Sequence, residues 1–324
     1  MDPLTQGAAG MIASQAVAPN KKLKLATLTG LIAGGAADLD VFIQSDANPL
    51  LGLMLHRHFT HSLFFIPVGA LCVASGLWVL FRLLRKPQPF GLLFLFSFVA
   101  YATHGVMDTV TSYGTVLLWP LNNIRYAWDT MAIIDLAFTL PLLVFIGLAL
   151  WRGNHNFARV GIIYGLLYLA VLAGHQYGTR QVYLTHVPAT AQKTARVMPA
   201  LFRPFSYRGV YRHDGHIYIS TLKARLFGEV DIRHHGRIPL VTPAEVQRAK
   251  KAGDTLTMHL HHYNWFADGF MGAYSESPYI LADYRYGNFG APLNPLWGVR
   301  LDFDTQLAHP VSLREQHLKP EKTD

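Results

Sequence analysis

Long apolar stretches fill the first half of the 324-residue chain, whereas polar and apolar positions alternate in much of the second half. Four stretches are long enough, or nearly so, to cross the roughly 30 Å hydrocarbon layer of a membrane as helices. Buried core helices would also be apolar, but four of them in one small domain would leave it little polar surface. We therefore predict membrane-spanning helices at residues 62–81, 90–107, 131–151 and 160–174.

The first forty residues show a different pattern, in which small side chains predominate. "GAAGMIASQAVA" and "LATLTGLIAGGAA" are each too short to span a membrane with ease, and the basic stretch "PNKKLK" separates them. Small residues let helix backbones approach closely inside a membrane bundle. The pattern predicts a helical hairpin with a basic tip.

The second half has the period-two patterning of strands at 215–221, 255–263 and 298–304. A short helix is expected at 242–253, with Thr242 as its cap and Gly253 as its end. The alternation in "HLHH" would place His259 and His261 on one strand face, where a solvated surface is a better interpretation than a second metal site. We predict an α-helical polytopic membrane domain at 1–175, followed by a small β-rich (α+β) extramembrane domain at 176–324.

Composition agrees with a membrane protein and excludes some classes of site. Charged residues make up only 15% of the chain, against about 25% in soluble domains. The single cysteine, Cys72, excludes a disulfide framework and a cysteine-bound zinc site. The net charge of +8 comes from scattered basic residues that often flank apolar stretches. This indicates attraction to anionic lipid headgroups rather than to nucleic acid.

Lysine and arginine are concentrated in three connections, which predicts the orientation. Residues 21–24, 82–86 and 151–159 should share the cytoplasmic side. The opposite side then receives residues 36–40, the motif "HRHFTHS" at 56–62 and the loop 104–130. The unusual polar residues are thus collected on one face, away from the cytoplasm.

These polar residues are of the types that bind metal ions. Carboxylates at the carboxyl end of a helix are unfavourable unless a cation lies nearby, and His-x3-Asp places two ligands on one helical face. Two or fewer of the three histidines in "HRHFTHS" can be ligands together. Imidazole and carboxylate suit zinc above all, with manganese or iron as alternatives. The expected ligands are Asp38, Asp40, His56, His61, His104 and Asp108.

Three further residues are candidates for catalysis. Asp135 lies within an apolar stretch just below the membrane surface, where an acid is costly. It could be a metal ligand, a general base or a hydrogen-bonding partner of a neighbouring helix. Arg57 and Arg125 could hold an anionic group such as a phosphate.

These features favour a membrane-embedded metal-dependent hydrolase that uses a metal-activated water on a lipid or another membrane-proximal phosphoester. One alternative is a transporter, in which Asp135, Asp108 and His104 would form a proton or cation path. Another is a non-catalytic membrane protein whose metal ion only holds loops together, which a fully occupied ligand sphere would favour.

Five motifs, taken in order, resemble the YdjM-like, or LexA-regulated, family of predicted membrane-bound metal-dependent hydrolases, whose activity is itself inferred from residues of this kind. They are "MDPLTQG", "DLD", "HRHFTHS", "HGVMDTVTSYGT" and "RYAWDTMAIIDLAFTLPLL", which together cover residues 1 to about 150. The resemblance implies a bacterial-type inner-membrane protein with a metal site on these motifs. Two positions depart from the family pattern, which often has His at Gln6 and Gly at His58.

Overall fold

The computed structural model describes residues 1–225, 229–276, 279–288 and 290–314. They form two compact units. The first unit comprises Met1–Phe42 and Leu55–His175. The second comprises Ile43–Met54 and the described residues from Gln176 onward. A segment of only twelve residues between two parts of the first unit therefore belongs to the second.

Helices account for most of the first unit, and those of the whole described chain are numbered here in order. They are α1 (Pro3–Val17), α2 (Leu23–Gly35), α3 (Leu51–Leu55), α4 (Ile66–Leu83), α5 (Phe90–Val110), α6 (Leu136–Arg152), α7 (Asn156–Leu184), α8 (Pro243–Ala252) and α9 (Asp254–Phe266). Short 3₁₀ turns lie between several of them, including one at Ala36–Phe42 directly after α2.

Within the described part of the chain, four helical segments are long and apolar enough to cross a membrane. They are Asn20–Phe42, Leu63–Leu83, Phe90–Val110 and Asn156–Leu184. Large apolar side chains on α7, such as Leu166 and Leu167, are each 63% exposed. Such a surface suits contact with lipid rather than with water. The predicted membrane-helical character of this half is confirmed.

The predicted stretch 131–151 begins later than expected. Only Leu136–Arg152 is helical there, and it is shorter than the four spans. The reason is Asp135, which has an extended backbone and caps α6 by accepting a hydrogen bond from the Phe138 amide. The stretch 160–174 is longer than predicted, because α7 extends beyond it in both directions.

The predicted N-terminal hairpin is confirmed, with Asn20–Lys22 as its basic tip. Its two helices approach so closely that a Cβ atom on Gly10 would lie 2.3 Å from the carbonyl oxygen of Gly30. Ser14 adds a polar tie, because its hydroxyl donates to the carbonyl of Phe96 on α5. The small residues therefore allow α1 and α2 to pack backbone against backbone.

The three basic connections lie together at one end of the helical bundle. Lys22 Nζ donates to Gln88 Oε1 at 3.1 Å. The backbone amide of His155 donates to Asn20 Oδ1 at 2.9 Å. The contacts join the hairpin tip to both of the other connections, as expected if all three face the same side of a membrane.

The second unit contains two four-stranded antiparallel sheets, in the orders β1-β2-β3-β4 and β10-β9-β6-β5, and the pair β7-β8. The strands are β1 (Arg196–Pro199), β2 (Ser206–His213), β3 (His216–Ala224), β4 (Val230–Pro239), β5 (Met271–Glu276), β6 (Tyr279–Asp283), β7 (Gly287–Asn288), β8 (Ala291–Pro295), β9 (Trp297–Asp302) and β10 (Leu307–Ser312). The predicted β-rich fold is confirmed, including strands at β3 and β9.

Two elements of this unit test the local sequence signals. The helix at α8 is confirmed, with a capping box between Thr242 and Glu245 and with Gly253 at its end. The strand at 255–263 is wrong, because α9 covers that stretch. Its buried residues recur at helical spacing: Leu256, His259, Leu260, Tyr263 and Phe266. His259 and His261 therefore do not share a face, and the alternation in "HLHH" has no structural counterpart.

The segment Ile43–Met54 is anchored in the second unit by a buried side chain and a polar contact. Leu50 is completely buried. Asn48 Oδ1 lies 3.1 Å from His259 Nε2, and the Ala308 amide donates to His259 Nδ1. Because Nδ1 accepts, Nε2 carries the proton and donates it to Asn48.

Candidate metal centre

Asp38 and Asp40 reach the centre because the chain leaves α2 through a 3₁₀ turn. Such a turn has about three residues per revolution, so side chains two apart point in different directions. Asp38 is directed toward the Nε2 atoms of His61 and His104. Asp40 instead contacts the Nδ1 atoms of His56 and His61. The two carboxylates thus approach His61 from opposite sides of its ring.

Arg57 shapes the loop that carries the histidines. Its backbone has φ +63°, which is uncommon for a residue with a side chain. The Arg57 amide donates to Asp40 Oδ2 at 3.1 Å, and its carbonyl accepts from the Val116 amide. Thr60 donates to the same Asp40 oxygen at 2.8 Å. The Asp40 carboxylate therefore holds the loop at three kinds of group, namely the Arg57 amide, the Thr60 hydroxyl and the histidine rings.

His104 and Asp108 lie one turn apart on α5 and are both completely buried. His104 Nε2 and Asp108 Oδ2 are 3.6 Å apart. His61 comes close to this pair because Gly105 has no side chain. A Cβ atom there would lie 2.1 Å from the His61 carbonyl oxygen.

Four donor atoms converge at distances that match a metal coordination sphere. His61 Nε2 lies 3.0 Å from His104 Nε2 and 3.2 Å from Asp108 Oδ2. Asp38 Oδ1 lies 3.3 Å from each of the two Nε2 atoms. A tetrahedron with zinc–ligand bonds of about 2.0–2.1 Å has edges of about 3.3–3.4 Å. The donor set fits a divalent ion both in its chemistry and in its spacing.

The tautomers of both histidines point their lone pairs into this space. His104 Nδ1 lies 2.5 Å from the carbonyl oxygen of Gly34, which can only accept, so Nδ1 carries a proton. His61 Nδ1 faces Asp40 Oδ2 at 3.3 Å. When these rings are neutral, both Nε2 atoms present lone pairs to each other and to two carboxylates. Only a cation at that point, either a proton or a metal ion, relieves the repulsion.

A proton fills part of this role when no metal ion is bound. Burial alone would lower the pKa of His61. The neighbouring carboxylates of Asp108, Asp38 and Asp40 outweigh that effect and raise the pKa of His61 to about 10. The centre therefore attracts positive charge strongly, and a divalent ion must displace a proton to bind.

Asp108 is held by cationic and polar groups on its other side. Its Oδ1 contacts the amino group of Met1 and accepts from Gln6 Nε2 at 2.9 Å. Arg57 Nε lies 3.3 Å from Oδ2. Among the described residues, Asp108 Oδ2 is buried and accepts no hydrogen bond of regular geometry. It remains directed toward the two Nε2 atoms.

Arginine and aromatic groups border the histidine loop. Arg57 lies 4.7 Å and Arg125 5.2 Å from the centre of the Tyr113 ring. Arg57 also donates to Thr111, and Arg125 donates to the carbonyl of Gly114. His58 packs against Phe59 and Trp119. Burial, followed by the charge of Arg125, lowers the pKa of His58, so its ring is neutral and belongs to an aromatic cluster.

A second group of candidate ligands adjoins the first and shares Asp38 with it. It consists of Asp38, Asp40 and His56, whose donor atoms all lie within 4.8 Å of one another. His56 Nδ1 and Asp40 Oδ1 are 2.8 Å apart. Asp38 and His56 retain 23% and 24% side-chain exposure, whereas the side chains of His61, His104 and Asp108 are fully buried.

Residues 1–178 match the sequence model of the YdjM inner membrane protein family. The chain belongs to this family. The match includes every candidate ligand named above, so the motifs that suggested the family lie within the matched region. No curated protein and no solved structure matches the chain. The family description identifies a membrane protein and names no reaction.

In this YdjM family member, all six predicted ligands lie in the two groups, but Asp135 does not. Its carboxylate accepts hydrogen bonds from the Phe138 amide and the Tyr168 hydroxyl. It thus resembles the hydrogen-bonded alternative weighed from the sequence. The contacts from Gln6 and the Gly34 carbonyl were not predicted as parts of the centre. A backbone acceptor leaves no signal in a sequence, whereas Gln6 stood out only as a departure from the family pattern.

Proposed function

We propose that this protein is a membrane-embedded metal-dependent hydrolase that cleaves a lipid or another phosphoester at the membrane surface. The main support is the convergence of His61, His104, Asp38 and Asp108 at the spacing of a coordination sphere. When bound, a divalent ion, with zinc the best match to this set, supplies Lewis acidity and a hydroxide nucleophile at neutral pH.

In this proposal, different residues of the centre bind the metal, face the substrate and hold its anionic group. His61 and His104 are held by Asp40 and by a backbone carbonyl, which fixes their rings and increases their basicity. Asp38 is the partly exposed ligand of the first group, so substrate would approach from its side. Arg125 is a better candidate than Arg57 for holding an anionic group, because the guanidinium of Arg57 already neutralises Asp108.

Two other functions are less well supported. A transporter would need ionisable groups along its helices, yet the acids within the four spans, Asp38, Asp40 and Asp108, lie at span ends. A purely structural metal ion has one observation in its favour. Four protein donors can fill a tetrahedral sphere, as they do in structural zinc sites.

Metal analysis of the purified protein tests the proposal. The wild type should retain a divalent ion after dialysis, and His104→Ala should lower its affinity by at least about 10–100-fold. His58→Ala is the matched control, because it removes a loop histidine that belongs to neither group. If His104→Ala retains the metal as the wild type does, the ligand assignment is wrong.

An activity assay separates hydrolysis from a structural role. Detergent-solubilised protein would receive phospholipids or a chromogenic phosphodiester, with and without a chelator. Turnover that disappears with chelator and in His104→Ala supports the proposal. If the metal is bound and its removal lowers the melting temperature, but none of these substrates is cleaved, the structural role is favoured instead. Turnover that is insensitive to both changes would contradict a metal-dependent mechanism.

A further inference from the structure

We propose that the centre binds two divalent ions rather than one, with Asp38 shared between them. This inference rests on the proposed metal centre and adds a second position, formed by Asp38, Asp40 and His56. The first position is the buried one, formed by Asp38, His61, His104 and Asp108. Six ligands that the sequence suggested for one ion are thus divided between two.

Asp40 has one oxygen committed to the protein and the other directed to His56. Its Oδ2 accepts from the Arg57 amide at 3.1 Å and from the Thr60 hydroxyl at 2.8 Å, and it faces His61 Nδ1 at 3.3 Å. Its Oδ1 lies 2.8 Å from His56 Nδ1. The carboxylate therefore cannot rotate freely, and Oδ1 is presented in a fixed position beside imidazole.

The contact between His56 and Asp40 could also be an ordinary hydrogen bond without an ion. The position of Asp38 supports a second bound ion. A carboxylate has two oxygens, and Asp38 belongs to both groups. Carboxylates shared in this way can hold two ions side by side, as in enzymes that clamp a phosphoryl group between two metals.

The two positions also differ in access, and the difference suggests separate roles. Three of the four donors in the first group are fully buried, and all four together can saturate a tetrahedral ion. Among the described residues the second group has three donors, and two of them retain about a quarter of their side-chain exposure. Catalytic ions keep a coordination position open for water or substrate. The second position leaves such an opening on a tetrahedral ion, whereas an ion in the first position would have to expand to five ligands to take up water or substrate.

Metal stoichiometry tests this inference without relying on activity. Full-length protein in detergent would be stripped of metal, titrated with Mn²⁺ and analysed for bound ions per chain. We expect two for the wild type, one for His56→Gln and two for the control His58→Gln. Glutamine at position 56 can still donate to Asp40 but binds metal poorly. Electron paramagnetic resonance should show a coupled Mn²⁺ pair in the wild type and an isolated ion in His56→Gln.

Each outcome separates this inference from the proposed function. One ion in the wild type, still lost in His104→Ala, overturns the second position and leaves the metal-dependent hydrolase standing. Two ions that persist in His56→Gln overturn the assignment of His56. No bound ion in the wild type overturns both proposals. If His56→Gln fails to fold, the wild-type stoichiometry and its resonance spectrum still decide between one ion and two.

Discussion

Asp135 shows how a costly residue in an apolar stretch can have a local structural role. Its carboxylate caps α6 and accepts from the Tyr168 hydroxyl of α7. A cap of this kind satisfies an amide that would otherwise lack a partner near the membrane surface. Its contacts are therefore those of a residue that joins two helices, and they lie outside both ligand groups.

Replacing Asp135 should consequently affect stability more than metal binding. Asp135→Ala should destabilise the protein by about 1 kcal/mol or more, since it removes a helix cap. Asp135→Asn, which can still cap, should cost less. Thermal unfolding in detergent measures the first effect, and elemental analysis should find unchanged metal content in both variants. Loss of metal in Asp135→Asn would instead return this residue to the centre.

Gly105 has no side chain, and this leaves the space on α5 that the His61 backbone occupies. Gly105→Ala would place a methyl group 2.1 Å from the His61 carbonyl oxygen, so the loop must shift and carry the His61 ring with it. We expect metal affinity to fall at least about 10-fold although no ligand is changed.

Gly91 of the same helix provides the control for Gly105. Among the described residues, a Cβ atom at Gly91 would meet nothing within 4 Å apart from its chain neighbours and its own helix backbone, so Gly91→Ala should bind metal normally. It should also be slightly more stable, by up to about 1 kcal/mol. Equal metal affinity in both variants would show that the loop adjusts without displacing His61.

At the level of elements, the hairpin of α1 and α2 holds part of the centre in place. The Gly34 carbonyl, which fixes the His104 ring, lies on α2. Gly10→Ala would meet the Gly30 carbonyl and separate the two helices, at a cost of about 1–3 kcal/mol.

The melting temperature and the metal content of Gly10→Ala should both be lower than those of the wild type. Gly35→Ala is its control, because a Cβ atom there would meet nothing within 4 Å in the described part of the chain apart from its chain neighbours and its own helix backbone. A Gly10→Ala protein with normal stability would indicate that the two helices can separate without disturbing α2.

The capping box of α8 gives the second unit a dependence on pH. Burial would raise the pKa of Glu245, but hydrogen bonds from Thr242 and Tyr279 outweigh that effect and hold the pKa below its usual value of 4.5. Because this pKa is lower in the folded protein than in the unfolded chain, ionised Glu245 stabilises the fold at pH values above the unfolded-state pKa. That stabilisation is lost as the pH falls through the lower, folded-state pKa.

Comparison of melting temperatures tests this dependence. Glu245→Ala should melt below the wild type at pH 7, since a helix cap contributes about 0.5–2 kcal/mol. The difference in melting temperature between Glu245→Ala and the wild type should become smaller as the pH is lowered past the pKa of Glu245. A difference that stays constant until the wild type itself unfolds in acid would mean that the charge of Glu245 does not contribute.

At the scale of the whole molecule, the clustering of basic connections predicts the orientation. Reporter fusions at Lys86 and Asn154 should indicate the cytoplasm, and fusions at Ser112 and after Gly215 the opposite side. The contacts that join Asn20, Lys22, Gln88 and His155 already require one common end. If Lys86 and Ser112 were found on the same side, α5 would not cross the membrane.

Much of this architecture could be predicted because hydrophobic period and charge report directly on burial and sidedness. The membrane helices, the N-terminal hairpin and α8 all follow from such local signals. The strand expected at 255–263 is wrong because the alternation of polar and apolar residues over 255–261 outweighed the helical spacing of Leu256, Leu260 and Tyr263. The ligand types were visible in the sequence, but their division into two groups depends on the 3₁₀ turn at Ala36–Phe42 and on backbone contacts.

The segment Ile43–Met54 lies in sequence between Asp40 and His56, yet its partners are synthesised much later. Asn48 contacts His259, which follows it by 211 residues. At a translation rate of about 5–20 residues per second, that interval lasts roughly 10–40 s. During this time the helices of the first unit can insert, while the segment that connects Asp40 to His56 still lacks its anchor. A ribosome therefore completes the membrane helices well before it supplies the residue that fixes this connection.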